Sequence, residues 1–197
     1  MRRIGVTAAV LVATLALGLP AAADTSPAGG ANNVVIATTI ASAMLSQRSG
    51  LQVGIDAAPT AASGNLALAR ATDCTGCRSV AVALQAVLIT GSANVITPTN
   101  AATAVNSGCT GCTSYAYAFQ YVVQTNGPVH LTPAGVTEVA ALRSQAADVA
   151  SSGESPDQLT TDLNALAAQL EAVIDSQVVA AGVTATANAQ RDVQAAG

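Results

Sequence analysis

The residues best equipped for chemistry are four cysteines in two identical tetrapeptides. Cys74-Thr75-Gly76-Cys77 recurs 35 residues later as Cys109-Thr110-Gly111-Cys112. The same offset relates Asn65 to Asn100, Ser79 to Ser114, Ala81 and Ala83 to Ala116 and Ala118, and Gln85 to Gln120. Paired Cys-x-x-Cys motifs support three chemistries: disulfide bridging, a four-thiolate zinc site, or thiol–disulfide exchange.

Disulfides are the favoured reading, because the chain begins like an exported one and exported cysteines pair. If each motif is the turn of a hairpin, its two cysteines face each other across the strands at a separation that suits a bridge. A loop that short contributes about 2 kcal/mol, and a cross-repeat bridge nearly 4. Pairing Cys74 with Cys77 and Cys109 with Cys112 is preferred, since each repeat then holds its own bridge. Crossed pairing stays open, because a meander also puts Cys77 and Cys109 on neighbouring strands. The alternative is zinc on Cys74, Cys77, Cys109 and Cys112. Four flat strands about 4.8 Å apart spread the sulfurs over about 14 Å, whereas zinc holds each at about 2.3 Å. Zinc therefore requires the two turns to fold over one another. Redox motifs of this type sit at helix N-termini; here the context is strand, and Arg78 is the one nearby cation.

Other candidates are few. His130 stands alone and cannot build a histidine metal site or a catalytic triad. Asp73 abuts Cys74, but its counterpart is Gly108. No phosphate-cradling loop, metalloprotease helix or nucleophile elbow is present. The four aromatic residues, Tyr115, Tyr117, Phe119 and Tyr121, alternate along one strand face. That face is either core, which is favoured because Val80, Val82 and Leu84 match it in the first copy, or a binding surface built on Tyr115, Tyr117 and Tyr121. The expectation is no enzyme, no cofactor and no resident metal.

The elements that must position these residues follow from patterning. Arg2-Arg3, the apolar run from Ile4 to Leu19, Pro20 and Ala21-Ala22-Ala23 form a signal peptide over 1–23, cleaved after Ala23. The product is secreted or held in the cell envelope, with no membrane span once cleaved. Removing Arg2 and Arg3 leaves five cations against eleven acids, a net charge of −6, which disfavours nucleic acid as a partner. Residues 24–32 form a flexible lead-in. Period-two alternation then predicts a degenerate hairpin over 33–62 and Cys hairpins over 65–91 and 100–126. Thr132-Pro133 and Ser155-Pro156 start two helices within 132–180. Val136, Val139, Leu142, Ala146 and Val149 stripe the first; Leu159, Leu163, Leu166, Leu170, Val173 and Ile174 stripe the second. The tail, 181–197, is expected to fray. The predicted fold is one α+β domain: an antiparallel meander of about three hairpins, then two packed helices.

The order Asn-x-Ala-x-Ala, Cys-x-x-Cys-x-Ser-x-Ala-x-Ala-x-Gln, Pro-Thr-Asn and a second such unit resembles an exported actinobacterial domain. It is similar to the extracytoplasmic tail of proteins named as peptide zinc metalloproteases. The likeness runs from about Asn33 to Val179 and includes Gly127 to Val129. The protease part, with its His-Glu-x-x-His helix, is absent, so no catalytic residue carries over. The expected function is a non-catalytic binding or envelope-structural module that contacts a protein or an envelope component. One alternative, implied by the resemblance, is an accessory partner of a membrane peptidase or peptide exporter. The other is a thiol–disulfide oxidoreductase.

Overall fold

A computed structural model describes residues 31–91, 93–180 and 186–197; the expected signal peptide and most of the expected lead-in lie outside these residues. The strands do not form hairpins. Strands β1 (Asn32–Thr39), β4 (Gly64–Thr72) and β7 (Thr99–Ser107) lie side by side in one parallel sheet, A. Strands β2 (Leu45–Asp56), β5 (Arg78–Thr90) and β8 (Thr113–Thr125) make a second parallel run, sheet B. Two short strands, β3 (Thr60–Ala61) and β6 (Val95–Ile96), pair in parallel along the return path. Each repeat is therefore one coil of a short β-solenoid, and three coils stack. The expected antiparallel meander is overturned: the chain is mostly strand, in largely parallel sheets.

Parallel stacking in register explains why the repeat conserves residue identity. Asn65 pairs with Asn100 and Gln85 with Gln120, so like side chains sit one above another. Asn65 Nδ2 donates to Asn100 Oδ1 at 2.7 Å, and Asn33 Nδ2 donates to Asn65 Oδ1 at 3.0 Å. Gln120 Nε2 donates to Gln85 Oε1 at 2.6 Å. Asn65 Nδ2 also reaches the carbonyls of Ala83 and Phe119, both at 3.0 Å. The asparagine amides tie sheet A to sheet B and are bonded where they are buried, whereas Gln120 donates along its rung but leaves its buried Oε1 without a partner.

Between the amide rungs the two sheets meet through alanine. Ala67, Ala69, Ala81, Ala83, Ala102, Ala116 and Ala118 form this seam, joined by Val35 and Ala37 from the first coil. Val35 stacks on Ala67, and opposite it Gly50 stacks on Ala83. A Cβ at Gly50 would approach Val35 Cγ2 to 2.8 Å and Asn33 Oδ1 to 2.9 Å. The larger valine is thus matched by a smaller partner, which keeps the sheet spacing.

The other face of sheet B is covered by helices α1 (Pro133–Ser151) and α2 (Pro156–Gln177). Thr132 and Ser155 cap them, accepting from Gly135 N at 3.0 Å and Gln158 N at 3.3 Å. Their buried residues, including Leu142, Leu159, Leu163, Leu170 and Ile174, pack on Val80, Val82, Leu84, Tyr117 and Phe119. Val136, assigned by spacing to the buried stripe, is exposed. Short strands β9 (Val129–Leu131) and β10 (Val178–Ala180) pair where the helical unit joins the sheet.

The tail does not fray over residues 186–196. Strand β11 (Thr186–Ala196) runs antiparallel to β8 and closes the end of the solenoid. It reaches sheet A as well: Asp192 Oδ2 accepts from Ala102 N at 2.9 Å, and Gln194 Oε1 from Ala104 N at 3.2 Å. One strand thereby pairs the terminal edge of sheet B and caps part of that of sheet A.

Candidate functional site

The two Cys-Thr-Gly-Cys turns link sheet A to sheet B in consecutive coils, so they lie directly on one another. Backbone hydrogen bonds stitch them together. Asp73 N donates to Ser107 O at 2.9 Å, Thr110 N to Cys74 O at 3.1 Å, Gly76 N to Thr110 O at 2.9 Å and Thr113 N to Cys77 O at 2.8 Å. Gly76 and Gly111 take φ of +65° and +63°, a conformation glycine adopts without a Cβ penalty. The first coil continues the stack without cysteines: Ala43 N donates to Thr75 O at 2.9 Å, as Gly76 does one coil later.

Three of the sulfurs consequently gather in one place, with Cys77 tied to them through Cys74 and lying 3.1 Å from the Ala41 carbonyl oxygen. Cys74 and Cys77 are bridged, with an S–S distance of 2.19 Å, while Cys109 and Cys112 are separate thiols. Cys74 Sγ lies 3.5 Å from Cys109 Sγ and 3.7 Å from Cys112 Sγ. The sulfurs of Cys74, Cys109 and Cys112 all fall within 4.8 Å of one another. The spread of about 14 Å expected for flat strands does not occur, because the strands that carry the turns are stacked in parallel. The geometric objection to zinc falls with it.

The cluster is dry. Cys74, Cys77 and Cys112 are buried beside Ala71, with Cys109 at the margin. Desolvation pushes the Cys109 thiol above its usual pKa, and the hydrogen bond and charge of neighbouring Cys112 push the same way. Hydrogen bonds with the backbone of Cys74 and Ser107 partly offset this. A raised thiol is a weak attacking group at neutral pH. Arg78 does not relieve it, since its guanidinium donates to the Glu154 carbonyl oxygen instead.

Asp73, exposed and at φ +50°, sits against Gly108 of the next coil. A Cβ at Gly108 would run into the Asp73 carboxylate, which accounts for the missing acid in the second copy. His130 lies exposed on β9, paired across to Val179, on the helical side of the molecule. Tyr115, Tyr117 and Tyr121 lie beneath the helices, all at most 5% exposed. The Tyr117 hydroxyl is 3.0 Å from Asn164 Oδ1, the Tyr121 hydroxyl donates to Asp175 Oδ1 at 2.6 Å, and Tyr115 meets Thr160 Oγ1 at 3.0 Å. The chain's own helix α2 occupies that face.

Two features escaped the reading of the sequence. The first coil carries Ser46 and Gln52 in register with Ser79 and Gln85, at an offset of 33 rather than 35, so a fixed period hides them. The second is the outer face of sheet A. Val34 and Ile36 are 56% and 52% exposed, and they stack on Leu66 and Leu68, which are half-buried. The alternation in Asn33 to Thr39 does place an apolar residue on both faces of β1, which was the available signal. No protein-family model, curated protein or solved structure matches this chain. Among the described residues no helix is long and apolar enough to cross a membrane.

Proposed function

We propose that this is an exported, non-catalytic module that binds a protein or envelope component through the outer face of sheet A. The observation that carries this reading is the apolar row Val34, Ile36, Leu66 and Leu68 on that face. The opposite, helix-facing side of the molecule is by contrast covered by the chain itself. Exposed apolar side chains arrayed over adjacent strands are costly to keep in water, and contiguous patches of this kind mark contact surfaces. The solenoid supplies a rigid base: its asparagine side chains are bonded from coil to coil, and β11 closes one end. A flat β-face held this way suits recognition by shape and apolar burial.

The test uses the chain as bait in a cell-envelope extract. The double variant Val34→Asp, Ile36→Asp alters two exposed side chains that make no core contact. Loss of a captured partner, with the circular dichroism spectrum and thermal midpoint unchanged, is the expected result. Capture that survives the double substitution refutes the surface assignment.

A further inference from the structure

The stacked turns carry an inference independent of that surface. Four ligands about 2.3 Å from a tetrahedral ion stand about 3.8 Å from each other. The Cys74–Cys109 and Cys74–Cys112 sulfur separations, 3.5 and 3.7 Å, are already at that spacing. Two coils contribute two cysteines each, and the backbone bonds between the turns fix their relative position; Cys77, bonded to Cys74 and 3.1 Å from Ala41 O, turns inward as the fourth ligand once its bridge opens. We propose that Cys74, Cys77, Cys109 and Cys112 of the reduced chain form a four-thiolate site for one soft divalent cation, Zn2+.

The chemistry of the donors selects the ion. Four thiolates in a tetrahedral arrangement favour zinc over hard cations, which take oxygen ligands. The site is closed by Ala71 and the turn backbones, so it has the character of a structural zinc site with no position left for water. The Cys74–Cys77 bridge is the competing state. A phosphine with water reduces it, giving phosphine oxide and two thiols; Zn2+ then displaces the four thiol protons and leaves a centre of net charge −2. The metal would pin coil two to coil three at the margin where the alanine seam ends.

Titration of the full chain, reduced by phosphine under nitrogen, tests this with Co2+ as the probe. One cobalt per chain is expected, with thiolate-to-cobalt charge-transfer bands and the intense ligand-field absorption of tetrahedral cobalt. One equivalent of Zn2+ should bleach the spectrum. Cys109→Ser and Cys112→Ser should each weaken zinc binding by at least about tenfold, since even outer-shell partners of metal sites contribute that much. Because a serine variant can misfold, the wild type supplies a second readout. Zinc should shield all four thiols from alkylation and should release four protons per ion. Reduced wild-type chain that takes up no stoichiometric cobalt, or whose four thiols alkylate equally with and without zinc, overturns the proposal. Uptake unaffected by Cys109→Ser in a folded variant does so too.

Discussion

Residues 80–88 of β5 and 115–123 of β8 alternate between two interiors, and each interior uses a different kind of residue. Toward the helices these strands send Val80, Val82, Leu84 and Leu88, then Tyr115, Tyr117 and Phe119. Toward sheet A they send Ala81, Ala83, Ala116 and Ala118, followed by Gln85 and Gln120. Helices are thick, irregular cylinders whose side chains leave deep grooves, so the facing strand needs large residues to fill them. Two sheets of one solenoid are held at a constant spacing by their shared coils. There small residues suffice, and amide rungs fix the register. One side depends on volume and the other on spacing.

The largest expected effect is on the helix side. Phe119 is fully buried, stacks on Leu84 in register and has the Arg191 guanidinium 5.6 Å from its ring centroid. Phe119→Ala removes most of a side chain from a site that helices and sheet cannot both collapse to fill. A loss of about 3–5 kcal/mol is expected in urea unfolding. On the seam side the sign of the size change reverses. Ala83→Leu adds volume where the sheets already touch, and should cost about 1–3 kcal/mol. A stabilised Ala83→Leu variant would show that the seam holds unfilled space and that the contrast is wrong.

The same two faces show what was legible in the sequence. Alternation located the strands, and Thr132-Pro133 and Ser155-Pro156 located the helix starts, because both signals are local. Pairing was not local. A period of two is identical for a hairpin and for a coil of a solenoid, so it cannot choose between them. The choice lay in the identities at the offset of 35. A hairpin sets residues opposite each other as mirror images about the turn, which would face Ala71 with Val80 and Asp73 with Arg78. In the structure Ala71 pairs with Asn106 and Arg78 with Thr113, and only translation puts Asn on Asn and Gln on Gln. Reading the repeat as tandem hairpins also dispersed the cysteines, so the error in pairing became an error about the site. Strand β11 was hidden for another reason. Its sequence, dominated by Ala with polar Asn, Gln, Arg and Asp between, has weak strand preference, and its place is set by the edges it covers.

The smallest effect sharpens the comparison through pH. Tyr117 belongs to the helix side, and its hydroxyl is 3.2 Å from Leu163 O and 3.0 Å from Asn164 Oδ1. Burial pushes its pKa from 10.0 up to about 12, partly offset by Arg191. The fold therefore prefers the neutral phenol. Its stabilising contribution is complete below the unfolded value near pH 10, and it is lost as pH rises through the folded value near 12. Tyr117→Phe keeps the ring volume and removes only the hydroxyl. At neutral pH it should cost about 1 kcal/mol, the net value of the lost hydrogen bonding. Above pH 10 the deficit should shrink, because Tyr117 ionises in the unfolded wild type while the fold holds it neutral, and the variant has no such group. Tyr115 and Tyr121 are also raised by burial, but they titrate in both proteins and cancel in the difference. Urea midpoints at pH 7, 10 and 11 for the pair measure this directly. A deficit that stays constant from pH 7 to 11 would mean that Tyr117 ionises without opposition from the helices, and that the helix-side interior is wetter than its packing implies.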